Sequence, residues 1–137
     1  MRSPLQFING KELLRAVTSN LLCNDRAQDA ELFQTRVKRG DLLLLGTDGV
    51  FDNLFVHEIL SVVDGVRAKS SERVLFSSRT AKRIAEQIAR DSQRMSLRNV
   101  GETPFAKSYN ERTKKEGPST WFGGKQDDVT IVAAWIC

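Results

Sequence analysis

The chain has 137 residues, 40% hydrophobic and 28% charged, with a formal net charge of +4. That length and balance suit one domain with one hydrophobic core. The basic residues are scattered, so no nucleic-acid partner is expected, and no apolar run reaches the roughly 18 residues of a membrane span.

The N-terminal "MRSPLQFING" has no apolar h-region and does not read as a secretory signal. Leu13, Leu14, Val17, Leu21 and Leu22 then recur at helical spacing, which predicts a short helix interrupted at Asn20 and Asn24. From Leu32 to Val37, Leu32, Gln34 and Arg36 alternate with Phe33, Thr35 and Val37. This is the period-2 pattern of a half-buried strand. Lys38 to Asp41 reads as a turn. Leu42 to Leu45 is a continuous apolar run, as in a strand covered on both faces, so the two strands read as a hairpin.

Leu54, Phe55, Ile59, Leu60, Val62 and Val63 predict a helix, with Asn53 as N-cap and Gly65 just past its end. "SSRTAKRIAEQIARDSQRM" gives the cleanest helical pattern: Ala81, Ile84, Ala85 and Ile88 on one face, Lys82, Arg83, Glu86, Gln87 and Arg90 on the other. Arg98 to Gly124 is punctuated by glycine and proline and reads as a long polar loop. "DDVTIVAAWI" is β-branched and apolar, and reads as a central strand closing the domain. Cys23 and Cys137 lie far apart, with no CxxC or Cys/His metal spacing, and read as reduced thiols.

The chemistry lies at two strand ends. Asp48 follows the leucine run between Gly46 and Gly49. Asp127 and Asp128 precede the last strand, after Gly123 and Gly124. Both runs are apolar throughout and both flank the acidic turns, so the Leu42–Leu45 and Val129–Trp135 strands are expected to be neighbours; the carboxylates would then converge and repel unless a cation lay between them. Oxygen-only ligation of this kind suits Mg²⁺ or Mn²⁺. The plainer reading also stands: Asp-Gly is a common turn pair, and an aspartate before a strand often caps a loop. His57, inside a helix, reads as packing or surface. Trp121 and Phe122 read as loop anchors, with a substrate edge as the alternative.

"GDLLLLGTDGVFDNL" and "GGKQDDVTIVAAWI" resemble two signatures of the protein phosphatase 2C (PP2C) family, metal-dependent serine/threonine phosphatases. With "AKRIAEQIARDSQ" and "TPFAKSYNE" between them they are similar to its PPTC7-like branch, and the resemblance runs from about Phe33 to Ile136. It implies an α+β fold, a layered β-sandwich with flanking helices, here incomplete and matching the C-terminal half, in a single partial domain over 1–137. It implies hydrolysis of phosphoserine and phosphothreonine in proteins by water activated between two Mg²⁺ or Mn²⁺ ions. Asp48 and Asp127 would both be ligands of one of them. Asp128 would order the loop, Asp52 would cap or order a helix start, and no side chain would act as nucleophile. The implied partner is a phosphoprotein. The resemblance also implies an intracellular location, mitochondrial or in another organelle.

The family's bridging aspartate lies in a "DG-x-GG" segment. Before Asp48 this sequence has only Asp25, Asp29 and Asp41, none followed by glycine. The expectation is therefore a chain that binds metal weakly and has little activity alone, completed by a missing N-terminal half in cis or as a separate polypeptide. The alternatives are an inactive half-domain serving as a binding or regulatory module, and a truncated gene product.

Overall fold

The computed structural model describes residues 6–9, 12–13, 34–71, 75–113 and 120–137, the first two segments by backbone alone. In chain order its elements are β1 (Gln6–Asn9), β2 (Glu12–Leu13), β3 (Leu42–Gly46), α1 (Asp48–Phe51), α2 (Val56–Ala68), α3 (Ser78–Ser96), α4 (Pro104–Thr113) and β4 (Ile131–Trp135). The strands form one sheet in the order β2-β1-β3-β4. The two apolar strands are antiparallel neighbours, with Leu42 opposite Trp135 and Gly46 opposite Ile131.

Strand alternation decides what the sheet buries. Leu42 and Leu44 face the helices and are buried; Leu43 and Leu45, on the other face, are only half-buried. The leucine run is thus covered fully on one face, not on both. Val132, on β4, is 55% exposed. Against the buried face pack Val50 and Phe51 of α1, Ile59 and Val63 of α2, and Ile84 and Ile88 of α3. Helix α3 starts where its sequence says: the Thr80 amide donates to the N-cap Ser77 Oγ at 3.2 Å. Its wet face carries the Glu86–Arg90 and Asp91–Arg94 pairs.

Four expectations need correction. Of the strand expected over Leu32–Val37, Leu32 and Phe33 lie outside the described residues, and residues 34–37 form no strand and are exposed, so there is no hairpin with β3; both edges of β3 are already taken, by β1 and by β4. Helix α2 is capped by Phe55, whose amide donates to Glu58 Oε2 at 2.7 Å; Asn53 is drawn away into the site, and Gly65 lies inside the helix. The loop from Arg98 contains α4, started by Thr103, whose Oγ1 accepts from the Ala106 amide at 3.2 Å, and by Pro104 in the first turn. Strand β4 lies at the edge of the described sheet, not at its centre. The helix expected between Leu13 and Leu22 begins on a residue of β2 and otherwise falls outside the described residues, as does Cys23.

Candidate functional site

Two arms meet at the same end of the β3–β4 pair. The first is the turn from β3 into α1. Thr47 leaves the strand with its amide still donating to Thr130 O at 3.0 Å. Its Oγ1 donates to Asp128 O at 2.6 Å and accepts from the Thr130 amide at 3.0 Å. One hydroxyl therefore stitches the two acidic segments together. A Cβ at Gly49 would run into the Asp128 carbonyl oxygen, so glycine is what lets the arms lie this close. Asp48 opens α1 and Asp52 caps its end. Four residues apart on helical backbone, they share a side.

The second arm, Gly123 to Asp128, has no regular secondary structure and is held by hydrogen bonds. Gly123, at φ 81°, donates to Gly101 O at 2.8 Å, and Gly124 donates to Arg98 O at 2.8 Å, which ties the arm to the end of α3. Thr103 Oγ1 donates to Gly123 O at 2.8 Å. Fully buried Asn53 then grips the next residue from both sides. Its Nδ2 donates to Lys125 O at 2.8 Å, and its Oδ1 accepts from the Lys125 amide at 2.9 Å.

That grip aims the Lys125 side chain between the arms. Its Nζ lies 2.8 Å from Asp52 Oδ2, 2.9 Å from Asp127 Oδ2 and 3.8 Å from Asp48 Oδ2. The ammonium also sits 5.3 Å from the centre of the Phe105 ring, over its face. The Phe105 amide donates to Asp52 O at 3.0 Å, so α4 is docked on the same turn. Burial pushes the Asp52 carboxyl up from its ordinary value, against the opposing pull of Lys125. A hydrogen bond from Lys125 holds the Asp127 carboxyl below its ordinary value. Burial alone would lower the Lys125 value, but its bonds to Asp52 and Asp127 raise it above that of a free lysine.

Asp48 and Asp127, named from the sequence, are thus brought around one cation. Asp128 contributes through its backbone: its side chain is exposed, and its amide donates to Asp127 Oδ1 at 2.9 Å. Asp52 is a full member of the cluster; it caps the end of α1 and not, as expected, a helix start, since α2 is capped by Phe55. His57 is exposed and stacks on Phe55. Trp121 packs on Phe105 and Tyr109, the anchoring role, while Phe122 is 65% exposed. Sequence reasoning missed Lys125, Asn53 and Phe105 as site residues. Lys125 had a legible signal, since in extended backbone it falls on the same side as Asp127, two residues on. Among the described residues, no group of three or more His, Cys, Asp or Glu side chains is arranged as a ready-made metal cage.

No family model matches the chain. Among curated proteins, it is 34% identical over 107 residues to the Arabidopsis thaliana "Probable protein phosphatase 2C 62", covering 78% of this chain and 13% of that one. It is 31% identical over 113 residues to the Drosophila grimshawi "Protein phosphatase PTC7 homolog fig", covering 82% of this chain and 34% of the relative. The chain belongs to the protein phosphatase 2C family. It spans about an eighth to a third of the length of these PP2C relatives. The X-ray structure of the photosystem II phosphatase PBCP superposes with a TM-score of 0.61 at 22% identity, covering 96% of this chain and 49% of that one. The α+β architecture is accordingly part of a PP2C-type fold.

Proposed function

We propose that this PP2C chain takes part in metal-dependent hydrolysis of phosphoserine and phosphothreonine in proteins, with Asp48 and Asp127 as ligands of one Mg²⁺ or Mn²⁺. The supporting observation is that two carboxylates, from two strand ends far apart in sequence, reach the same Lys125 ammonium, at 3.8 and 2.9 Å. The donor chemistry fits: hard divalent cations take anionic oxygens, and Mg²⁺ often needs only one or two carboxylates from the protein, the rest being water and substrate phosphate. When bound there, such a cation acidifies water and draws charge from a phosphoryl oxygen.

The chain's own residues hold the geometry. Thr47 and Gly49 fix the distance between the arms, Asn53 fixes the second arm, and the core beneath Val50 and Phe51 fixes the first. With no "DG-x-GG" aspartate in the sequence, the donor set is short of what a two-metal site needs. The 137-residue chain alone should therefore bind Mn²⁺ weakly and turn over a phosphothreonine peptide slowly.

The test adds the N-terminal half of a PP2C relative as a separate polypeptide and follows phosphate release with and without Mn²⁺. Mn²⁺-dependent turnover should appear. Asp48→Asn or Asp127→Asn should then reduce it about a hundredfold or more, given the several kcal/mol that a metal contributes. No turnover in the complemented wild type, or turnover indifferent to both substitutions, refutes the assignment. Robust turnover by the chain alone would show instead that further carboxylates, Asp25 or Asp29, complete the site.

A further inference from the structure

Lys125 is not a surface lysine that happens to lie near acids. Its backbone is clamped on both sides by a fully buried asparagine, its ammonium rests on the Phe105 ring, and its Nζ meets three carboxylates. Three carboxylates crowded at the junction of two arms repel one another unless a cation is present. Here the chain supplies that cation itself. It stands between Asp48 and Asp127, 3.8 and 2.9 Å from their Oδ2 atoms, in the space that a divalent ion held by both would enter.

We propose that Lys125 is a built-in competitor for the divalent cation: its ammonium holds the arms together before metal arrives and is displaced when metal binds. The inference rests on the metal reading above. Its physical basis is that one set of oxygens serves two cations of different size and charge. The ammonium keeps Asp52 and Asp127 at 2.8 and 2.9 Å, ordinary hydrogen-bond lengths. A Mg²⁺ ion needs oxygens at about 2.0–2.1 Å, in near-octahedral order. Both cannot be satisfied by the same oxygen lone pairs at once, so a metal that takes these Asp127 and Asp48 oxygens makes the lysine give up its hydrogen bond to Asp127 and its longer ion pair with Asp48. Asp52, which also bonds Lys125, offers the displaced ammonium a partner, so it need only pivot within the site. The arms are therefore preorganised without metal, at the cost of weaker metal affinity.

Two measurements on the full chain test this. The first is calorimetric titration with Mn²⁺ of the wild type, Lys125→Met and Lys125→Arg. Lys125→Met keeps the length and removes the charge. It should tighten Mn²⁺ binding about tenfold, the factor that about 1.4 kcal/mol of relieved competition gives. It should also lower the melting temperature in EDTA, because the carboxylates then face one another uncompensated. Lys125→Arg, which keeps the charge, should bind no more tightly than the wild type.

The second needs no variant. Reductive methylation followed by mass spectrometry should label Lys125 slowly in EDTA and several-fold faster with Mn²⁺, relative to exposed Lys82. Equal or weaker Mn²⁺ binding by Lys125→Met, or Lys125 labelling indifferent to Mn²⁺, overturns the competitor role while leaving the metal reading standing. Absence of Mn²⁺ binding in both wild type and Lys125→Met overturns the metal reading itself, and this inference with it.

Discussion

The two arms of the site present the same side chain, an aspartate, by different means. Asp48 stands on a turn whose next residues, Val50 and Phe51, are buried in the core, so hydrophobic packing positions it. Asp127 stands on a segment without helix or strand, where Lys125 and the residues after it are half-buried or exposed, so hydrogen bonds position it. One arm is as stiff as the core. The other is as stiff as its polar ties to Asn53, Thr47 and the end of α3. Damage to the first should therefore appear as lost global stability, and damage to the second as lost site geometry in a chain that still folds.

Phe51→Ala is the sharpest test of the first half of that statement. Phe51 is 7% exposed, and its ring also fills the space beside Gly46. Truncating a buried phenylalanine costs about 3–5 kcal/mol through lost burial and the cavity left behind. Urea unfolding of the metal-free chain should show that loss. A loss well under 1 kcal/mol would mean that α1 is not anchored by the core.

Asn53→Ala tests the joint between the arms. Asn53 is fully buried and supplies both partners of the Lys125 peptide and a third bond to Gly49 O at 2.9 Å. Leaving the half-buried Lys125 peptide and the buried Gly49 carbonyl short of these partners costs about 1–3 kcal/mol. The distinguishing result is spatial. Amide hydrogen exchange should rise over Gly123–Asp128 and stay unchanged in the middle of α3. A uniform rise would mean that the second arm is as core-dependent as the first.

The contrast between the arms also explains what the sequence made legible. The Asp48 arm follows from apolar patterning: a leucine run, a glycine, then an aspartate can hardly be anything but a strand end. Helix α3 was equally clear, because Ala81, Ile84 and Ile88 fall at helical spacing and are the residues buried. The pairing of β3 with β4 followed from two apolar runs that each border an acidic turn. What failed was whatever depends on tertiary partners. Asn53 looks like a cap by residue type, but its amide is used by a segment far along the chain. Gln34 to Val37 alternates like a strand, but β3 had no free edge for it. Helix α4 was hidden by the glycines and prolines around it, since only Phe105 and Ala106 of its residues are buried. Thr103-Pro104 was the signal available, a side-chain cap followed by a proline in the first turn.

Thr47→Val removes the single hydroxyl that spans both arms while keeping size and β-branching. It deletes a bond to Asp128 O and one from the Thr130 amide, both at exposed positions. Water can replace them, so the expected loss is only about 1 kcal/mol. Paired with Asn53→Ala in a double-mutant cycle, it should be non-additive, because both substitutions loosen the same segment. Strict additivity would mean that the two ties act on independent parts of the arm.

The smallest effect is in pH dependence, and the two arms should differ in sign. On the second arm, the Asp127 carboxyl is held below its ordinary value, first by the Lys125 hydrogen bond. A group with a lowered folded-state pKa adds stability that is fully present above the unfolded value, about 3.9, and is lost as pH falls through the folded value. On the first arm, burial raises the Asp52 carboxyl. The folded chain then holds that proton more tightly than the unfolded chain, so this group lowers stability as pH rises from about 3.9 through its raised value. Urea midpoints in EDTA, taken across that range, should therefore separate two substitutions. Asp127→Asn should flatten the fall in stability on the acid side, and Asp52→Asn should flatten the fall on the side above. Asparagine keeps an oxygen acceptor for Lys125 at either place, so what changes is the proton linkage and not merely a missing contact. The same sign from both variants would mean that Lys125, and not burial, governs Asp52, and that the two arms are electrostatically alike.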